Sequence, residues 1–139
     1  MNEKFFIQEY VRWQDIDYAG AIFYGAYLRF FELAEMELFR SIGLPYGKVF
    51  EELDIWLPRV QVHCDFYHPA VLDDLLNIST FVGRIGSKSI TLNFEVHRAK
   101  DNLFLASGHF VIVVVSRKDF KSIPLLPILT EKLSRFTLS

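Results

Sequence analysis

Asp15-Ile16-Asp17-Tyr18-Ala19-Gly20-Ala21-Ile22-Phe23-Tyr24-Gly25-Ala26-Tyr27 is the stretch whose reading decides the fold of this 139-residue chain. A turn bearing two carboxylates and a glycine runs here straight into a long helical pattern. The periodicity predicts a helix from about Tyr24 to Ile42, closed by Gly43 as a left-handed C′ residue and by Pro45 just beyond. At about 100° per residue, Tyr27, Phe30, Phe31, Ala34 and Leu38 share one face, with Arg29, Glu32 and Arg40 opposite. Leu28, Leu33, Met36 and Phe39 fringe the polar side, more apolar perimeter than a surface helix needs. The pattern describes a helix wrapped by a sheet on one side and touched on its flanks.

The loop has chemistry of its own. Asp17 lies seven residues ahead of Tyr24, too early for an ordinary N-cap. Its bland reading is an Asx turn; its neighbours, however, are aromatic and apolar, and a carboxylate desolvated among them is more reactive as a nucleophile or base. The helix start near Tyr24 presents unpaired backbone N–H groups and a positive dipole end, which suit a developing oxyanion. One nucleophile or base beside one oxyanion site is enough to hydrolyse an activated acyl group. Asp15 is expected to tie up loop amides instead.

Strands dominate the rest. Residues 4–12 alternate, with Phe5, Ile7 and Val11 on one side and Gln8, Tyr10 and Arg12 on the other. After a possible short helix near Lys48–Leu53, residues 58–67 alternate Val60, Val62, Cys64 and Phe66 with polar partners, and residues 88–98 alternate Ile90, Leu92, Phe94 and Val96. Both patterns predict strands buried on one face. Residues 75–83 and 103–116 supply two more, and short turns at 68–70, 83–87 and 99–102 favour antiparallel neighbours. One long helix against about five antiparallel strands is an α+β layer arrangement.

The length suits one domain spanning residues 1–139. Hydrophobic residues make up 51% and aromatics 16%, with 14 Phe; either the core is unusually aromatic or apolar surface is buried against other subunits, and the second is favoured. A net charge of −2 offers no basic footprint for nucleic acid. A single cysteine, no signal-like N-terminus and no apolar run longer than Phe110–Val115 lead to the expectation of a cytoplasmic protein without a membrane partner.

The loop, taken with Ile42-Gly43-Leu44-Pro45, Phe66-Tyr67-His68-Pro69-Ala70 with Asp73-Asp74-Leu75, and Gly86-Ser87-Lys88-Ser89-Ile90, resembles the 4-hydroxybenzoyl-CoA thioesterase family over nearly the whole chain. The resemblance implies a hotdog fold, a long central helix wrapped by a five- to six-stranded antiparallel sheet, and hydrolysis of an acyl-CoA thioester, aromatic acyl groups included. It puts the catalytic carboxylate on Asp17 and the carbonyl-polarising backbone N–H on Tyr24. Leu57, Pro58 and Arg59 fall on the segment lining the acyl and pantetheine channel, and Lys88 on a basic hairpin residue that meets CoA. Many members of that family carry a histidine where this chain has Phe23-Tyr24, so here Asp17 would have to act without an imidazole beside it. The resemblance further implies a homo-oligomer, a dimer or a tetramer with a tetramer as first expectation, with Asp17 from one subunit and some CoA contacts from its neighbour. It implies neither metal nor cofactor.

The remaining candidates read as structural. His63, His97 and His109 sit singly in different strands with no ligand spacing. Cys64 alternates with Val62 and Phe66, as an inert core thiol would. Ser41 and Ser116 lack a G-x-S-x-G setting. Two rival functions remain, an acyl-carrier-protein thioesterase and a non-catalytic acyl-CoA binding module.

Overall fold

A computed structural model describes residues 2–138. Strand β1 (Phe5–Tyr10) precedes a 3₁₀ turn at Trp13–Asp15, the long helix α1 (Ala26–Ser41) and a short helix α2 (Tyr46–Glu52). Strands β2 (Ile55–Trp56), β3 (Arg59–Phe66), β4 (Leu75–Ile85), β5 (Ser89–Arg98), β6 (Phe104–Val113) and β7 (Val115–Ser116) follow. The five long strands form one antiparallel sheet in the order β1-β4-β5-β6-β3, while β2 and β7 pair as a separate ribbon. This is the hotdog arrangement. Val114 breaks the expected 103–116 strand in two. Sequence patterning suggested nothing beyond Ser116, yet Pro127 opens helix α3 (Pro127–Leu133), whose Leu129 and Leu133 are fully buried.

Helix α1 starts at Ala26 rather than Tyr24, because Gly25 is its N-cap. At the other end Gly43 takes φ +79°, the left-handed conformation the sequence predicts for C′. Tyr27, Phe30, Phe31, Ala34 and Leu38 are buried as expected. Phe31 stacks on Phe94 at 4.6 Å and 7°, and Phe110 closes the trio edge-on at 5.9 Å and 4.9 Å. Burying each such ring contributes about 1.5–3 kcal/mol. Gly108 makes the fit possible, since a Cβ there would lie 2.1 Å from the His63 carbonyl oxygen and 2.8 Å from the Phe31 ring. The β5 alternation matches the sequence reading, with Ile90, Leu92, Phe94 and Val96 turned into the core, and Leu76 and Ile78 of β4 are buried beside them.

Strand β3 corrects it. Val60 is 62%, Val62 48% and Phe66 52% exposed, and Cys64 is half-buried, where one buried face was expected. The strand is one of the two sheet edges, and among the described residues no strand pairs with its outer side. Among the described residues no helix is long and apolar enough to cross a membrane.

Candidate active site

The Asp15–Gly20 loop folds back on itself. The Asp17 amide donates to the Ala21 carbonyl at 2.9 Å, the Phe23 amide to the Asp15 carbonyl at 2.6 Å, and Ile16 bridges Ile22. Asp15, only 2% exposed, accepts the Arg12 amide at 2.8 Å, the loop-amide role expected of it. It also holds the Arg29 guanidinium, Nη2 lying 2.7 Å from both carboxylate oxygens. That pair ties the loop to the first turns of α1.

Asp17 Oδ1 accepts the Ala19 amide at 2.9 Å, an Asx turn, and Oδ2 has no partner among the described residues. The expected desolvation is absent in the single chain. Asp17 is exposed, because Trp13, Tyr18 and Tyr24 turn outward, Tyr18 completely. The aromatic residues frame the carboxylate without covering it.

The helix entrance leaves two amides unengaged. Phe23 donates to Asp15, while Ala26, Tyr27 and Leu28 donate to Phe23, Tyr24 and Gly25. Among the described residues no acceptor meets the Tyr24 or Gly25 amide. Beside them opens a cleft of about 280 Å³ lined by Ile22, Tyr24, Tyr27, Phe66, Tyr67, His68 and Pro69. Desolvation raises the buried Tyr27 phenol to about 12, so it stays protonated.

The other expected contact residues lie at the far end of β3. Leu57 is buried, and the Pro58 carbonyl accepts the Val113 amide at 3.0 Å. Arg59 turns inward, with Nη2 on the Glu35 carboxylate and Nη1 on the Leu57 carbonyl at 3.3 Å. Lys88 stands exposed on the β4–β5 hairpin, its carbonyl taking the Val114 amide. Arg59 pairs with Ile112 and Phe66 with Ala106, so the length of β3, about 23 Å at its ordinary rise, separates this group from the cleft beside Tyr24. The structure brings Asp17 and Tyr24 onto one hydrogen-bonded loop and does not bring Leu57, Pro58, Arg59 or Lys88 to them within one chain.

Sequence reasoning missed Glu35, fully buried on α1 and bonded to Tyr46 Oη and Arg59. The signal was available, for Glu35 follows Phe31 by four residues and precedes Leu38 by three, on the apolar face. Burial pushes its carboxyl up to about 7; Arg59 pulls the other way and does not win.

It also missed His68 in the cleft. The three strand histidines stack, His63 on His109 at 5.2 Å and His97 on Phe104 at 4.7 Å. Among the described residues no group of three or more His, Cys, Asp and Glu has the arrangement of a metal site. Burial lifts the Cys64 thiol to about 11, which leaves it protonated and inert.

The sequence profile of the Thioesterase-like superfamily matches residues 11–133, and the chain belongs to that superfamily. It is similar to acyl-CoA thioesterase YbgC of Haemophilus influenzae, with 27% identity over 113 residues covering 81% of this chain and 82% of that one. A 1,4-dihydroxy-2-naphthoyl-CoA thioesterase from Synechocystis superposes with a TM-score of 0.88 at 21% identity, covering 95% of this chain and 96% of that one. A gentisyl-coenzyme A thioesterase superposes with a TM-score of 0.81 at 23% identity, covering 92% and 98%.

Proposed function

We propose that this protein hydrolyses acyl-CoA thioesters, with an aromatic acyl group in the 4-hydroxybenzoyl class as the preferred substrate. The observation that carries the reading is one loop holding both a carboxylate oxygen without a partner, Asp17 Oδ2, and two unengaged amides at a helix entrance, Tyr24 and Gly25. The thioester carbonyl oxygen points at those amides, which stabilise the negative charge it gains. The aromatic lining of the adjoining cleft, Tyr24, Tyr27, Phe66 and Tyr67, favours a flat acyl group. The named activities of the YbgC relative and of the two structural neighbours support the same class.

Two routes share this geometry. In one, Asp17 attacks the carbonyl carbon, the C–S bond breaks, and water hydrolyses the mixed anhydride. In the other, Asp17 takes a proton from the attacking water. Label in the Asp17 carboxylate after single turnover in ¹⁸O-water marks the first route with water attacking the anhydride at Asp17 Cγ, and hydroxylamine trapping of an Asp17 hydroxamate marks it where water attacks the acyl carbonyl. Neither forms on the second route.

The site is shared between two copies. Antiparallel pairing of β3 with the β3 of a second copy sets Arg59 of one chain near Phe66 of the other. That brings the neighbour's Leu57-Pro58-Arg59 end of β3 and its exposed Lys88 to the cleft beside Tyr24, where Lys88 serves the phosphates, while buried Leu57 and Arg59, held inward by Glu35, shape the segment that borders the pantetheine. Such pairing also covers Val60, Val62 and Phe66, which are exposed in one chain.

Thiol release from benzoyl-, 4-hydroxybenzoyl-, phenylacetyl-, butyryl- and palmitoyl-CoA tests the reading. Asp17→Asn is expected to lower turnover ~10²-fold or more on the preferred aromatic member. CoA affinity without turnover, unchanged by the mutation, would favour a binding module, and faster release from acyl carrier protein would reassign the carrier.

A further inference from the structure

His68 has no part in the chemistry above, and its setting is a constrained one. The turn carrying it is pinned at both sides, for the Tyr67 and His68 amides both donate to the Leu105 carbonyl, at 2.8 and 3.3 Å. Tyr67 Oη meets Ser107 Oγ at 2.8 Å. Two residues on, the Ala70 carbonyl accepts the Ile22 amide at 2.9 Å and Val71 bridges Ala21, so this turn is hydrogen-bonded to the loop that carries Asp17. The imidazole itself is oriented. Nδ1 lies 3.2 Å from the Phe104 carbonyl oxygen, which can only accept, so Nδ1 carries the proton in that bond and Nε2 is left as the exchangeable position. His68 lines the same cleft as Tyr24.

We propose that His68 is the general acid that protonates the departing CoA sulfur. The proposal rests on the thioesterase reading above. As the carbonyl carbon of the tetrahedral intermediate reforms its double bond, the C–S bond breaks and its electron pair stays on sulfur. The Nε2 proton of the imidazolium passes to that sulfur, giving neutral CoA thiol and neutral imidazole. The ring is exposed and recovers its proton from solvent. Its Nδ1–H bond to Phe104 holds the ring in place through the cycle. The other titratable groups around the cleft are the phenols of Tyr24, Tyr27 and Tyr67, with Asp17 on the adjoining loop; Asp74, beyond Val71, is held by Arg98.

The test turns on the leaving group, because a more acidic thiol departs without a proton. The acyl group that wild type turns over fastest is presented as its CoA thioester and as its 4-nitrothiophenyl ester. His68→Asn retains an amide donor for the Phe104 carbonyl and removes Nε2. It is expected to lower kcat on the CoA ester ~10²-fold and to change the aryl ester less than about fivefold. Equal losses on both esters, or a loss on the CoA ester under about threefold, would overturn the proposal. If His68→Asn does not fold, His68→Gln is read by the same two esters. Wild type inactive on every ester sinks the thioesterase reading itself, whereas an active, Asp17-dependent enzyme indifferent to His68 sinks this inference alone.

Discussion

Glu35 is the residue whose charge state the fold decides. A glutamate ordinarily ionises near 4.5; in this interior the carboxyl keeps its proton up to about pH 7, desolvation outweighing the Arg59 charge. The native state therefore binds more protons than the unfolded state between those values. The stability that protonated Glu35 gives is complete below pH 4.5 and is lost as pH rises to about 7, on the order of 3 kcal/mol, with no further change from this group above that. Denaturant melts from pH 4 to 8 should show that decline in wild type and a flatter profile in Glu35→Gln, which keeps acceptors for Tyr46 and Arg59 but cannot ionise. An equal slope in both proteins would assign the decline to other groups. Asp15 and Asp17 make the complementary case, two carboxylates two residues apart with opposite settings. One is sealed under Arg29; the other faces solvent with an oxygen free for chemistry.

Among the elements, the contact between α1 and the sheet turns on one missing side chain. Gly108 of β6 lies opposite Cys64 of β3, with the Phe31 ring of α1 against it. Gly108→Ala puts a methyl group into space already filled by the His63 carbonyl and that ring. The expected loss is about 1–3 kcal/mol of stability, since either strand or helix must shift. Urea unfolding measures it, and a variant as stable as wild type would mean that the β3 edge gives way freely. Cys64→Ala, opposite the same glycine, adds no atoms and serves as the control.

For the whole molecule, the outer edge of β3 is the open question the fold poses. Eight residues of strand, Arg59–Phe66, carry neither proline nor lysine, and three apolar side chains stand exposed beside an unpaired backbone. Protected edges are ordinarily short, charged or covered. A second copy paired along this edge would satisfy the backbone, bury those side chains and join the two ends of β3 into one site. Val62→Lys places a charge in the centre of that edge. Sedimentation velocity should show wild type as a dimer or larger and Val62→Lys as a folded monomer, with thiol release falling alongside assembly. A fully active wild-type monomer would sink the shared site.

The sequence by itself determined the long helix and its C-terminal stop at Gly43, the inward face of β5, and the tie between Asp15 and its loop amides. These are local properties. A period of 3.6 or 2, a glycine after a helix and a carboxylate spacing can be read wherever short-range sterics and burial agree. Tertiary structure alone decided the rest. The alternation in residues 58–67 is as clean as that in 88–98, yet one strand is central and the other is an edge, because strand order depends on contacts between residues far apart in sequence. Arg59 reads as a surface cation until α1 brings Glu35 beneath it. His68 reads as a turn residue until Phe104, thirty-six positions later, fixes its ring beside the start of the helix.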